Sequence, residues 1–141
     1  MNTQAVRSRP PVVLIVGDDD DAPMFAIALH LMGVLPVVAA TADEAFARAC
    51  EHHPDVVVAD LSLGTPSLDL LRRLHDDVRT RAATLMALTV ESGTAVARQA
   101  HAIGCNRFLP KACPPDALAC QILDALSDGY PRLARPAGRP A

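Results

Sequence analysis

The chain has 141 residues, half of them apolar and only 3% aromatic, with a formal net charge of −3. That length supplies one domain and one aliphatic core built mainly from Ala, Val and Leu, and such apolar content excludes a disordered chain. The weakly acidic balance gives no electrostatic reason to expect nucleic acid as a partner; no apolar run is long enough for a membrane span, and residues 1–11 lack the apolar stretch of a signal peptide, so a cytoplasmic location is expected.

In chain order, residues 1–10 are polar and run into Pro10-Pro11, which reads as a flexible N-terminal tail. The first apolar run is Val12–Val16, and Gly17 with Asp18, Asp19, Asp20 and Asp21 follows it. Met24, Ala28 and Leu31 then fall at i, i+4 and i+7, the spacing of an apolar helical face, and Gly33 sits where that helix should stop. A second apolar run covers Val34–Ala40. Thr41-Ala42-Asp43-Glu44 reads as a capping box, in which the Thr41 hydroxyl takes an orphan amide and Glu44 reaches back. The helix it opens ends near Cys50, His52 and His53. Adjacent side chains on a helix diverge, so these three read as a polar helix end rather than as metal ligands.

The third run, Asp55–Ala59, ends in Asp60, and the fourth, Thr84–Leu88, ends in Thr89. Val96, Ala100 and Ile103 repeat the helical spacing, with Ser92 placed to cap their helix and Gly104 to end it. The fifth run is Arg107–Leu109, followed by Pro110-Lys111. Pro114-Pro115-Asp116 suits a helix's first turn, where proline lacks only an amide hydrogen that has no partner. Residues 128–141 are rich in Pro, Gly and Arg and read as a C-terminal tail, leaving 11–127 as the folded domain. Four of the runs are continuous rather than alternating, as expected of strands buried on both faces. Strand and helix alternate five times, so the predicted fold is α/β, a parallel sheet with right-handed crossovers and helices on both faces. The cysteines (50, 105, 113 and 120) form no C-x-x-C pair and read as reduced thiols.

Ligands of open parallel sheets bind at the carboxyl ends of the strands, near the point where strand order reverses. At those ends the sequence places the aspartates after strand one, Asp60, Thr89 and Lys111. Carboxylates at close range repel unless a cation joins them, and oxygen ligands of this kind suit Mg²⁺. A lysine and a hydroxyl opposite them can hold phosphoryl oxygens, and an aspartate can itself attack phosphorus to form an acyl phosphate. The chain has twelve arginines and a single lysine, placed at the end of strand five. An ammonium is a compact point charge that a guanidinium fork does not replace. A nucleotide-binding enzyme would instead want a glycine-rich loop after strand one, where four aspartates repel phosphate.

The stretches VVLIVGDDDD, PDVVVADLSL, TLMALTV and NRFLPKA, in that order, resemble the receiver domain of response regulators, the phosphoacceptor modules of two-component signalling, over about residues 11–127. The resemblance implies a flavodoxin-like fold, a three-layer doubly wound domain with a five-stranded parallel sheet of order 2-1-3-4-5. It implies that Asp60 takes a phosphoryl group from a histidine kinase or a histidine phosphotransfer protein. Mg²⁺ would be held by Asp18 or Asp19 (or both), by Asp60 and by the carbonyl of Ser62. Thr89 and Lys111 would contact the phosphate, and Phe108 with Thr89 would report it to a downstream protein.

The chain departs from the family pattern at four places. Gly17 stands where the first acid usually falls, Val90 follows Thr89 where a smaller residue is common, and Thr65-Pro66 changes the loop after Asp60. Ala112 replaces the proline that usually follows the lysine after a cis bond. A non-proline cis bond costs about 2.5–4 kcal/mol, which predicts a trans bond, a strained one, or a redirected Lys111.

The expected protein is therefore a stand-alone receiver and not an enzyme. It signals through protein contacts, with a homodimer possible, no direct nucleic-acid partner and no membrane. The alternative is a pseudo-receiver, the same fold binding proteins without phosphorylation, which Gly17, Val90 and Ala112 motivate.

Overall fold

The computed structural model describes residues 10–17, 21–90, 94–105 and 107–129. Strands β1 (Val12–Val16), β2 (Leu35–Ala39), β3 (Val56–Asp60), β4 (Thr84–Thr89) and β5 (Arg107–Pro110) alternate with helices α1 (Asp21–Leu31), α2 (Ala42–His52), α3 (Thr65–Asp76), α4 (Ala95–Ile103) and α5 (Pro115–Gly129). All pairings are parallel, in the order β2-β1-β3-β4-β5. The central strands β1 and β3 are buried at every residue, as their unbroken Val-rich runs require. β2 and β5 lie at the edges and are only partly buried, so their apolar runs do not mean coverage on both faces.

Strand alternation divides the core into two layers. Val13, Ile15, Val56, Val58, Met86 and Leu88 meet α1 and α5 through Phe25, Leu29, Leu118 and Ile122. Leu14, Val16, Val57, Ala59, Leu85 and Ala87 meet α2, α3 and α4 through Ala45, Ala49, Leu70, Leu71, Leu74 and Ala100. At roughly 1.5–3 kcal/mol for each large side chain removed from water, these two layers supply the main folding drive.

The helix ends follow local chemistry. The Thr41 hydroxyl accepts from the Glu44 amide at 3.1 Å, and Glu44 reaches back to the amide of Ala40 at 2.9 Å. That amide, and then Arg48, hold the Glu44 carboxyl below its usual range. α2 ends in His53, a left-handed cap (φ 51°) whose amide donates to the Ala49 carbonyl. The polar cluster at this end is thus helix-terminating. Gly104 ends α4 at φ 134°, where a side chain would be strained and its Cβ would lie 3.0 Å from the His75 ring.

Two expectations need correction. α4 begins at Ala95, and its cap is Thr94, whose hydroxyl accepts from the Ala97 amide at 3.1 Å; Ser92 lies outside the described residues. In α1, the residues turned inward are Ala22, Phe25 and Leu29, while Met24 and Leu31 of the expected face are 54% and 79% exposed. That helix is apolar nearly all round, so spacing alone cannot choose its buried side. α5 runs from Pro115 through Gly129.

Candidate functional site

From β1 the chain crosses to β2 on one side and returns to β3 on the other. The loops after β1 and β3 therefore diverge, and this switch point opens a crevice at the carboxyl ends of the two strands. Asp60 ends β3 there and is 2% exposed. Gly17 follows β1 beside it, and a Cβ at position 17 would lie 3.7 Å from both the Cβ and Oδ2 of Asp60. Asp21, at the first turn of α1, and Lys111 line the same crevice.

The Asp60 carboxylate is held at both oxygens. Oδ1 accepts from the Ser62 amide at 2.9 Å and from the Ser62 hydroxyl at 2.7 Å. Oδ2 pairs with Lys111 Nζ at 2.8 Å. Nζ also donates to the Ser62 hydroxyl at 3.2 Å, which closes a three-residue ring of charge-assisted contacts. A buried carboxylate is tolerable only with such compensation.

Local backbone geometry sets these contacts. Leu61–Leu63 form one 3-10 turn after β3, which brings the Ser62 amide back to Asp60. Gly64 leaves that turn at φ 79°, a conformation that favours glycine, and Pro66 opens α3. The fully buried Ser67 hydroxyl donates to the Asp60 main-chain carbonyl at 2.7 Å. The end of β3 is therefore tied to α3 as well as to the sheet.

Lys111 reaches the site because its amide donates to the Thr89 carbonyl at 2.9 Å, extending the β4–β5 pairing one residue beyond Pro110. No cis peptide bond occurs among the described residues, so the Lys111–Ala112 bond is trans, and the lysine still points at Asp60. Thr89 ends β4 and is 8% exposed. It follows Ala87 by two residues, which places it on the sheet face that carries Phe108, the partner of Ala87 on β5. Phe108 is half-buried against the α2–α4 layer, with His101 of α4 stacked on its ring at a centroid distance of 6.3 Å. It lies apart from the carboxylate.

Of the expected site residues, the structure brings together Asp60, Ser62 and Lys111, with Thr89 anchoring the lysine's backbone. Asp18 and Asp19 lie outside the described residues. The side-chain role of Ser62 and the buried tether from Ser67 are not legible in the sequence. A serine two or seven residues past an aspartate carries no signal until a turn and a helix bring it back. In the sequence Asp21 is simply the last of four consecutive acids.

The oxygen-only donors here fit a hard cation such as Mg²⁺. Among the described residues, no group of three or more His, Cys, Asp or Glu side chains clusters as a metal site. No helix among them is long and apolar enough to cross a membrane.

Comparisons with known proteins agree with this geometry. The model of the response regulator receiver domain matches residues 13–123. Response regulator Rre1 of Synechocystis sp. is 28% identical over 123 residues, covering 83% of this chain and 52% of that protein. The phosphate regulon transcriptional regulatory protein PhoB of Pseudomonas aeruginosa is 30% identical over 114 residues, covering 78% and 49% respectively. The chain thus spans about half the length of the curated relatives it matches. A CheY-like response regulator receiver domain protein from Methanospirillum hungatei has the same fold, with a TM-score of 0.79 at 20% identity over 87% of this chain and 98% of that one. A buried aspartate ending the third of five parallel strands, its lysine partner after the fifth, and a family match across most of the chain lead to one conclusion: this chain belongs to the response regulator receiver domain family.

Proposed function

We propose that Asp60 accepts a phosphoryl group from a histidine kinase or histidine phosphotransfer protein, and that the domain passes the change to a downstream protein by contact. The observation that carries this reading is the Asp60 carboxylate, buried at the switch point and paired with the chain's single lysine at 2.8 Å. In the reaction, a carboxylate oxygen of Asp60 attacks phosphorus. The P–N bond to the donor's histidine breaks, and the imidazole leaves with the bonding electron pair.

Lys111 is placed to leave the carboxylate and follow the negative charge onto the phosphoryl oxygens. The Ser62 hydroxyl and amide both donate to Asp60 Oδ1 and so hold the carboxylate in one rotamer. Mg²⁺, held by Asp18 or Asp19, Asp60 and the Ser62 carbonyl, would neutralise charge on the same phosphoryl oxygens. Thr89 and Phe108 share a sheet face, so a shift of the Thr89 hydroxyl toward phosphate opens space along β4 into which the Phe108 ring can turn. The partner surface changed in this way is the α4–β5 side, where His101 covers the ring. Residues 11–127 make up the functional unit, and a cytoplasmic setting suits these partners.

A second reading has one observation in its favour. Gly17 offers no carboxylate where Asp60 would meet one, which fits a pseudo-receiver that binds proteins unmodified. Intact mass after incubation with a small phosphoramidate and Mg²⁺ separates the two. One added phosphate in the wild type, absent in Asp60→Asn and absent with EDTA, supports the acceptor reading. A well-folded protein that never gains mass supports the pseudo-receiver.

A further inference from the structure

From Ala22 to Ala42 the chain contains no Asp, Glu, Lys or Arg. α1 occupies half of that stretch, and its inner side is satisfied by Ala22, Phe25 and Leu29 packed in the α1–α5 layer. Its outer side is apolar as well, apart from the exposed imidazole of His30. Met24, Ile27 and Leu31 are 54%, 58% and 79% exposed, and Met32 and Leu35 just beyond the helix are 40% and 46% exposed. Five of the seven large hydrophobic side chains exposed among the described residues therefore lie on this one side of the molecule. Single exposed apolar residues are ordinary, but a contiguous group marks a contact surface.

The spacing of the group selects the kind of contact. Met24, Ile27 and Leu31 stand at i, i+3 and i+7, the a–d–a seam that packs knobs-into-holes against another helix. The neighbouring edge strand β2 carries Pro36, which has no amide to donate to an added strand, so a helix suits this surface better than sheet extension does. On side chains of roughly 150–200 Å² each, these exposures amount to about 500 Å² of apolar surface per protomer, the size of the apolar centre of a standard interface of about 800 Å² per partner.

The absence of charge points to the occupant. A strongly charged partner would find no carboxylate, lysine or arginine from Ala22 to Ala42 to pair with, whereas two copies of that stretch meet without repulsion between such groups. We propose that α1 packs against α1 of a second copy of this chain across a two-fold axis, with Ile27 near the axis and Met24 and Leu31 to either side. This assembly needs no phosphate, so it stands or falls apart from the proposed chemistry at Asp60.

Sedimentation equilibrium of the full chain between about 1 and 500 µM tests it, with circular dichroism to check each variant's fold. The wild type and Asp60→Asn are expected to show the same monomer–dimer equilibrium. Leu31→Glu is expected to weaken it at least tenfold, at a position too exposed for the change to unfold the domain. Ile27→Glu and Ile27→Lys are each expected to be monomeric alone and to associate when mixed, because the axis brings residue 27 against its own copy. A wild type that stays monomeric throughout overturns the proposal. So does a dimer that folded Leu31→Glu and Ile27→Glu variants leave unweakened, since that dimer would form elsewhere.

Discussion

Replacing Lys111 with methionine removes the one cation that pairs with the Asp60 carboxylate among the described residues, while keeping most of the side-chain volume. The effect on stability follows from burial. Breaking a fully buried ion pair by deleting one partner costs about 3–5 kcal/mol, because a charge is left in a poor solvent. Here the Asp60 side chain is 3% exposed but that of Lys111 is 23% exposed, so solvent already screens part of the interaction. The expected loss is therefore about 2–3 kcal/mol. Asp60→Asn behaves differently. The amide oxygen can still accept from Ser62, no charge stays buried, and Lys111 can turn to water, so the expected loss is at most about 1 kcal/mol.

Urea unfolding followed by far-UV circular dichroism, in EDTA and with unchanged m-values, measures both variants. The double variant should show a coupling of about 1–2 kcal/mol. Equal losses in the two single variants would refute the reasoning. A Lys111→Met protein within about 0.5 kcal/mol of wild type would also refute it, since compensation of Asp60 would then lie elsewhere.

Four further outcomes are expected. Gly17→Asp fits sterically, since its Cβ would sit at ordinary contact distance, 3.7 Å, from Asp60. It should destabilise the metal-free domain by about 1–3 kcal/mol through like-charge repulsion and tighten Mg²⁺ binding roughly tenfold by calorimetry. Burial pushes the Cys105 thiol up to about 12. Proton loss from the unfolded state then lowers stability as pH rises from about 9 to 12, and a Cys105→Ala variant should show a shallower alkaline decline. In native protein, iodoacetamide should label exposed Cys120 well before Cys105, by peptide mass. The Arg79 side chain and amide hold the Asp77 carboxyl down at about 2. That contribution is complete above about pH 4 and lost as pH falls toward 2, so Asp77→Asn should flatten the acid limb of a thermal-melting profile.

Much of this fold can be read along the chain because its signals are local. Buried parallel strands must be unbroken apolar runs, and the Thr41–Glu44 and Pro114–Asp116 helix starts depend on residues within one turn. The strand ends were equally legible, and with them Asp60, Thr89 and Lys111 as a group at one edge. Where local signals are degenerate, reading fails. α1 is apolar on both sides, so spacing does not pick its buried face, and two hydroxyl residues precede α4, of which Thr94 is the cap.

The amino-acid sequence by itself determined the alternation of strands and helices, the chemistry gathered at their carboxyl ends and the resemblance that ordered them. These depend on residue type and near neighbours. Only the tertiary structure decided which atoms meet and which face stays open: the Ser62 hydroxyl on Asp60, the Ser67 tether from α3, Lys111 crossing from β5 to β3, and the apolar side of α1 that no other described element covers. The three contacts join residues brought together by turns and crossovers, and the side chains carry no mark of them until the sheet has assembled.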